Sequence, residues 1–259
     1  MHPRIFVPQA FAPGSDVALP AAAARHVQVL RLQPGETVLL FNGSDGAEWP
    51  AEIVRIGRNA VDVRVGAAAS VERELPWTVT LALGVPANDR MDALVEKAGE
   101  LGAHAIQPLV CERSVLRLSG ERAEARRRHW SGVAAAASEQ CGRAHVTQIR
   151  PLQALAAWLD AAADTGQVAA HKLVLSLDPA ALALDAARHQ LVAAARRCNG
   201  IVILSGPEGG LTGAEEAAAV GRGFERLSLG PRVLRADTAP LALLAWLGIE
   251  AGATGRSKG

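Results

Sequence analysis

Two segments in the last quarter of the chain gather residue types that can hold and polarise a ligand. They are Ile201-Val-Ile-Leu-Ser-Gly-Pro-Glu-Gly-Gly-Leu-Thr-Gly213 and Leu227-Ser-Leu-Gly-Pro-Arg-Val-Leu-Arg-Ala-Asp-Thr-Ala239. In each, an apolar run stops at a Gly-Pro pair, Gly206-Pro207 or Gly230-Pro231. Gly209 and Gly210 follow the first pair at once, and residues without a Cβ let a ligand approach bare main chain or let that chain take positive φ. The second segment adds two guanidiniums, Arg232 and Arg235, and the first adds a carboxylate, Glu208. Donors of this kind stabilise negative charge that develops on a reacting group. A buried arginine pair with nothing to bind would be costly, which favours a functional role for Arg232 and Arg235. The competing role is a salt link to Glu208 or Asp237 that only shapes the loop. Glu208 itself could hold a cofactor or position a water that takes a proton.

The elements that must position these groups are legible around them. Ile201 to Leu204 has the β-branched and leucine composition of a strand buried on both faces. Thr212 with Glu215 three residues later is a capping box, which predicts a helix through about Val220. The second segment repeats the plan: Arg226 to Leu229 as a strand, Asp237 or Thr238 as a helix cap, Pro240 in the first turn where a missing N–H costs little, and a helix over Leu241 to Leu247 that ends at Gly248. One such loop alone is equally well a structural turn; two together favour a shared pocket. No G-x-G-x-x-G follows a first strand and no G-x-x-x-x-G-K-[ST] occurs, which argues against a dinucleotide fold and a bare polyphosphate ligand.

Upstream, the chain of 259 residues divides into two rhythms. Thr37 to Phe41, Trp49 to Ile56 and Ala60 to Val65 are short apolar runs separated by Asn42-Gly-Ser-Asp-Gly46 and Gly57-Arg-Asn59, the pattern of a small antiparallel β-barrel over residues 1–70. Polar Val71-Glu-Arg-Glu-Leu-Pro76 is the expected linker. From residue 77 to 259 strands and helices alternate: Thr78 to Gly84, a helix from Asp89 to Leu101, His104 to Leu109, a helix from Glu121 to Cys141, Lys172 to Leu177, and the two C-terminal units. Alternation predicts a mostly parallel sheet covered by helices, and periodicity alone predicts an ordinary open one. No apolar run reaches the roughly 18 residues of a membrane helix and no secretory pattern opens the chain, so a soluble, cytoplasmic protein is expected. Cys111, Cys141 and Cys198 lie far apart, which argues against a zinc site or a disulfide framework. The formal charge is +1, so any nucleic-acid surface must be local; basic residues gather at Arg122, Arg126, Arg127, Arg128 and His129, on either a phosphate-contacting or a merely solvated helix face.

Leu204-Ser-Gly-Pro-Glu-Gly-Gly-Leu-Thr212 and Leu229-Gly-Pro-Arg-Val-Leu-Arg-Ala-Asp-Thr-Ala239 resemble the two signature loops of the RsmE family, the 16S ribosomal RNA uridine-N3 methyltransferases of the SPOUT superfamily. Glu96-Lys-Ala-Gly-Glu-Leu-Gly102, Ile106-Gln-Pro-Leu109, Glu112-Arg-Ser-Val115, Ser138-Glu-Gln-Cys-Gly-Arg143, Arg4-Ile-Phe6 and His26-Val-Gln-Val-Leu-Arg31 are similar to that family's other blocks, in the same order. The resemblance implies an α/β fold: a PUA-like RNA-binding β-barrel, then a SPOUT domain whose last helix threads a deep trefoil knot. It implies S-adenosyl-L-methionine bound by Leu204, Ser205, Gly206, Pro207, Glu208, Gly209, Gly210, Leu227, Leu229, Gly230, Arg232, Val233, Leu234, Asp237 and Thr238. Arg232, Arg235 and Glu208 are the implied catalytic residues, and Arg4, His26, Arg31, Asn88, Arg90, Lys97, Glu139, Gln140 and Arg143 the implied RNA contacts. Where the family usually has Thr-Glu-Thr-Ala, this chain has Ala236-Asp-Thr-Ala239, a shorter carboxylate.

The resemblance further implies methylation at N3 of a uridine in the decoding region, helix 44, of the 30S subunit, by a homodimer without metal. Two other readings stay open at this stage. One keeps the fold but moves the methyl group to a ribose 2′-oxygen or to guanine N1. The other is a non-catalytic RNA-binding assembly factor, to which the near-neutral charge and the Asp237 change would belong.

Overall fold

The structure is a computed structural model that describes residues 2–58, 60–86, 90–116, 118–164, 170–198 and 200–255. Two compact units emerge from it: the chain up to Glu74 together with Ala135–Val146, and Leu75–Ala134 together with the chain from Thr147 onward.

The first unit is built on a six-stranded sheet. Its elements are β1 (Arg4–Phe6), β2 (Asp16–Ala18), α1 (Ala21–Val29), β3 (Thr37–Phe41), β4 (Ala47–Ile56), β5 (Val61–Val65) and β6 (Ala69–Ser70), paired in the order β1-β3-β4-β5-β2 with β6 on β4. In β4 and β5, Ala51, Ile53, Val61, Val63 and Val65 are buried while Glu52 and Arg64 face outward, the period of two that a sheet with one core face requires. Those side chains pack with Ile5, Val7, Val38, Leu40 and the Ala23, Ala24 and Val27 face of α1 into one core. The antiparallel expectation holds for β3, β4 and β5 but not for β1, which pairs parallel to β3. The segment expected as a linker is tied down here: Arg73 reaches Glu48 and the Gly142 carbonyl, and Glu74 holds Arg143. Those pairs explain why the unit runs to Glu74.

The second unit alternates as the sequence predicts. In order it contains β7 (Thr78–Gly84), α2 (Arg90–Glu100), β8 (Ala105–Val110), α3 (Gly120–Cys141, whose last turns belong to the first unit), β9 (Gln148–Ile149), β10 (Gln153–Ala154), α4 (Leu155–Asp164), β11 (His171–Leu175), β12 (Leu182–Ala183), α5 (Leu184–Cys198), β13 (Gly200–Ser205), α6 (Gly213–Val220), β14 (Glu225–Ser228) and α7 (Thr238–Gly255). Every strand pair recorded in this sheet is parallel, in the order β10-β8-β7-β13-β11-β14-β12 with β9 on β8. The central strands are near-continuous apolar runs because helices cover both faces. The late strand β13 lies between β7 and β11, and β14 pairs the other edge of β11.

Among the expected helices, one departs from its bounds. α7 passes through Gly248 and ends at Gly255. A helix tolerates an interior glycine at about 1 kcal/mol, and a Cβ at 248 would sit 3.8 Å from Leu75. Leu243, Leu244 and Leu247 bury the inner face of the helix, which packs on α2 and β13.

Candidate active site

Parallel sheets bind ligands outside the carboxyl ends of their strands, and the second unit has a cavity of about 620 Å³ at that edge. Its walls come from the exits of three adjacent strands: Ser205 to Leu211 at the end of β13, Leu175 to Leu177 at the end of β11, and Leu227, Leu229, Gly230 and Arg232 to Ala236 at the end of β14. The two signature loops are therefore not neighbours. β11 lies between their strands, and its exit supplies the middle wall.

The glycine loop is closed by its own geometry. A Cβ on Gly206 would stand 2.6 Å from the Leu211 nitrogen and 2.7 Å from the Gly210 carbonyl carbon, so no side chain fits there with the loop closed. Gly84 plays the same part from β7, where a Cβ would meet Pro207 at 2.5 Å. Gly210 and Gly230 adopt φ of +69° and +107°, and the space beside each α-carbon is open. Beyond the loop, Thr212 caps α6 in a complete capping box with Glu215.

Charge around the cavity is uneven. Arg90, Arg113, Arg232 and Arg235 line it, against Glu208 and Glu216. Arg90 approaches Glu208 at 3.9 Å. Glu216 accepts from Ser176 Oγ at 2.8 Å and from Arg226 Nε. Arg113 donates to the Gly209 carbonyl at 2.9 Å. Arg232 and Arg235 are exposed, and among the described residues neither reaches a carboxylate within 4 Å. This corrects the premise that they form a buried pair. Their cost without a ligand is small, and the salt link to Glu208 or Asp237 is not made. What they offer is donor capacity facing a cavity, beside the exposed apolar side chains Leu177 and Val233.

Most of the other residues singled out in these loops also line the cavity: Ser205, Gly206, Pro207, Glu208, Gly209, Gly210, Leu227, Leu229, Gly230, Val233 and Leu234. Three do not. Leu204 is fully buried in the core with Ala82, Leu109 and Val174. Thr238 is the first residue of α7. Asp237 precedes it, with a buried Oδ1 that accepts no hydrogen bond among the described residues. Sequence reasoning missed Leu175, Ser176, Leu177, Arg113, Leu211 and Glu216 as wall residues. Arg113 lay in a quoted block without a role, whereas nothing local marks the β11 exit.

The residues expected to meet RNA fall into several places. Arg90 opens α2 and lines the cavity. Lys97, on the same helix, bridges Glu100 and Glu96 at 2.8 Å each, and those two carboxylates raise its pKa above the usual lysine value. Its charge is largely balanced where it stands. Asn88 lies outside the described residues. In the first unit Arg4 pairs with Glu48 and donates to the Arg143 carbonyl at 2.8 Å, while Arg143 holds Glu74 through Nε at 3.0 Å. Both guanidiniums are nearly buried, at 9% and 5% exposure, so they knit the segment around residue 143 to β1 and β4 and present little surface to a phosphate. Glu139 accepts the Phe6 amide at 2.8 Å and lies 3.6 Å from His26 Nδ1. Arg31 and Gln140 are exposed. The basic stretch of α3 is partly neutralised by Glu124, which takes Arg127 at 2.8 Å and Arg128 at 3.7 Å. Burial of Cys111 pushes its thiol up to about 12, the behaviour of an inert core residue. Among the described residues there is no cluster of three metal-ligating side chains, and no helix long and apolar enough to cross a membrane.

Comparison with known proteins bears on this geometry. Residues 73–248 match a family model described as an RNA methyltransferase domain, and residues 19–66 one described as an RNA methyltransferase PUA domain. Ribosomal RNA small subunit methyltransferase E of Bacillus subtilis is 31% identical over 219 residues, covering 84% of this chain and 83% of that one. The crystal structure of a ribosomal RNA small subunit methyltransferase E from Neisseria gonorrhoeae bound to S-adenosyl methionine is 34% identical, covers 95% of this chain and 97% of that one, and superposes with a TM-score of 0.85. A putative methyltransferase from Legionella pneumophila, in complex with bound S-adenosyl methionine, is 32% identical over 96% of this chain and 98% of its own, with a TM-score of 0.86.

Proposed function

The chain belongs to the ribosomal RNA small subunit methyltransferase E family, and from that membership we propose that it methylates N3 of a uridine in 16S ribosomal RNA, in the helix 44 decoding region of the 30S subunit, with S-adenosylmethionine as methyl donor. The cavity at the strand exits fits such a cofactor. Its volume of about 620 Å³ falls within the usual range for small-molecule sites, and the space beside the α-carbons of Gly210 and Gly230 is open. The β13 loop, the β11 exit and the β14 loop would hold it. When bound, it supplies an electrophilic methyl group on a sulfonium.

The chain's own residues have a separate task at the acceptor. Uracil N3 carries a proton and becomes nucleophilic only as that proton leaves, when negative charge spreads onto O2 and O4. Donors aimed at those oxygens stabilise the anion most where they need no reorganisation. Arg232 and Arg235 suit that role because they line the cavity and no carboxylate among the described residues occupies them. That availability is the observation on which the reading rests. Arg90 and Glu208, 3.9 Å apart, form a mixed pair at the same cavity that can orient the base or a water. Asp237, shorter than the residue usual at its place, would shape the start of α7. We take that helix to thread the knot, and the protein to work as a cytoplasmic homodimer.

The test is nucleoside mass spectrometry on 16S rRNA from small subunits incubated with the protein and S-adenosylmethionine. The expected product is 3-methyluridine, diminished by Arg232→Met and Arg235→Met. A methyl group on a ribose 2′-oxygen or guanine N1 would move the target within the same fold. No modification, with no heat on titration of S-adenosylhomocysteine, would leave an RNA-binding assembly factor.

A further inference from the structure

The turn that follows β8 is built onto the glycine loop. Cys111 N donates to Ser114 Oγ at 2.9 Å and Ser114 N donates back to the Cys111 carbonyl at 3.1 Å, which fixes a tight turn. From it the Glu112 amide donates to Glu215 Oε1 at 2.7 Å. The other oxygen of that carboxylate, Oε2, accepts the Thr212 amide at 2.9 Å inside the capping box. Glu215 therefore joins two elements far apart in sequence. Beside it, Arg113 Nη1 donates to the Gly209 carbonyl at 2.9 Å and reaches the Leu211 carbonyl at 3.5 Å. The arginine stem lies flat against Gly209, where a Cβ would come within 3.1 Å of Arg113 Cβ.

We propose that Arg113 is a positioning residue that holds the glycine loop in its ligand-ready shape, with Gly209 kept free of a side chain so that the arginine can lie there. The proposal rests on the reading of the cavity as the S-adenosylmethionine site. Gly206, Gly209 and Gly210 give the loop a large conformational entropy, and a ligand that must freeze such a loop loses affinity. A guanidinium fixed on two of its carbonyls removes that cost before the ligand arrives. Arg113 also lines the cavity itself, yet its recorded hydrogen bonds go to loop carbonyls, so its action is on the loop.

Exposure separates this role from a structural one. Arg113 is an exposed residue whose recorded hydrogen bonds reach only this loop, and opening one surface loop costs far less than unfolding the domain. A hydrogen bond from a charged donor is worth roughly ten- to a hundredfold in an equilibrium. Titration calorimetry with S-adenosylhomocysteine should therefore give Arg113→Met a Kd raised by roughly ten- to a hundredfold with a thermal midpoint like that of the parent. Arg113→Lys, which can reach one carbonyl, should fall between. Gly209→Ala should reproduce the defect by pushing the stem aside. Equal affinity for parent and Arg113→Met overturns the proposal. So does a variant that keeps cofactor affinity but loses RNA affinity with a shallower salt dependence, because Arg113 would then be a phosphate contact. A parent protein that does not bind the probe at all overturns the reading of the cavity, a different result from parent binding with unaffected variants.

Discussion

Gly206→Ala is the sharpest perturbation of the loop. Its Cβ would lie 2.6 Å from the Leu211 nitrogen, 2.7 Å from the Gly210 carbonyl carbon and 3.0 Å from the Gly210 α-carbon. All three neighbours are main chain, so no rotamer change relieves the clash, and the loop must open between Gly206 and Leu211. Overpacking of this kind costs about 1 to 3 kcal/mol. In a domain of this size each kcal/mol shifts the melting midpoint by about 2 to 4 °C, so a loss of about 2 to 12 °C is expected. The larger effect is on binding, because the residues that must move are the cavity wall. Gly210→Ala is the control. It has open space around its Cβ position but φ of +69°, so it carries only the left-handed penalty, about 1 to 2 kcal/mol. Calorimetric titration of S-adenosylhomocysteine beside thermal melting reads both quantities. We expect Gly206→Ala to lose binding beyond its loss of stability and Gly210→Ala to keep a measurable Kd. Wild-type affinity in Gly206→Ala would refute the idea that this glycine exists to close the loop.

Four further outcomes follow from the same contacts. Arg232→Met and Arg235→Met should each lower kcat for methyl transfer by roughly a hundred- to a thousandfold, with an unchanged melting midpoint because both side chains are exposed; single-turnover kinetics would read this. Glu48→Gln weakens a nearly buried carboxylate shared by Arg4 and Arg73, so denaturant melts should lose about 3 kcal/mol. In native protein at pH 8, Ellman's reagent should leave Cys111 unmodified, since burial holds its pKa near about 12, and should modify it once the chain is unfolded. The same shift has a sign in stability: above the ordinary thiol pKa the unfolded chain gives up a proton that the folded one keeps, so this residue's contribution falls as pH rises from about 9 towards 12.

Local signals were readable where a short stretch of chain decides its own geometry. The capping box at Thr212 and Glu215 forms as the spacing predicts, and β13 and β14 fall within a residue or so of the expected runs. α4 and α5 were not foreseen, although Ala187, Leu191, Ala194 and Ala195 of α5 recur at helical spacing and bury one face; a stripe made mostly of alanine is apolar but small, and packing against the sheet decides it. Arg4 and Arg143 mislead for a related reason. An arginine near a chain end or after a helix has the same local sequence whether it meets a phosphate or a carboxylate. Only the fold brings Glu48 and Glu74 to them.

The cavity shows the same division at the level of topology. Two Gly-Pro loops with similar plans suggest one pocket, and they do share one, yet their strands never touch. β11 separates them, pairing β13 through Leu173 with Ile203 and β14 through Leu173 with Glu225. Because all three strands run parallel, their exits open on one edge, and whichever strand sits in the middle must line the site whatever its sequence. That is why Ser176 ends in the wall, donating to Glu216, although nothing around it looks like a motif. It follows that Ser176→Ala should disturb binding through Glu216 and Arg226. Two hydrogen bonds would be lost, one to the charged Glu216 and one from the Asp178 amide at 3.0 Å, while Arg226 still holds the carboxylate. The expected rise in Kd for S-adenosylhomocysteine is about tenfold, smaller than for Gly206→Ala. An effect as large as that of the glycine would mean that the middle strand contacts the ligand directly, and no effect would mean that the wall there is too distant to matter.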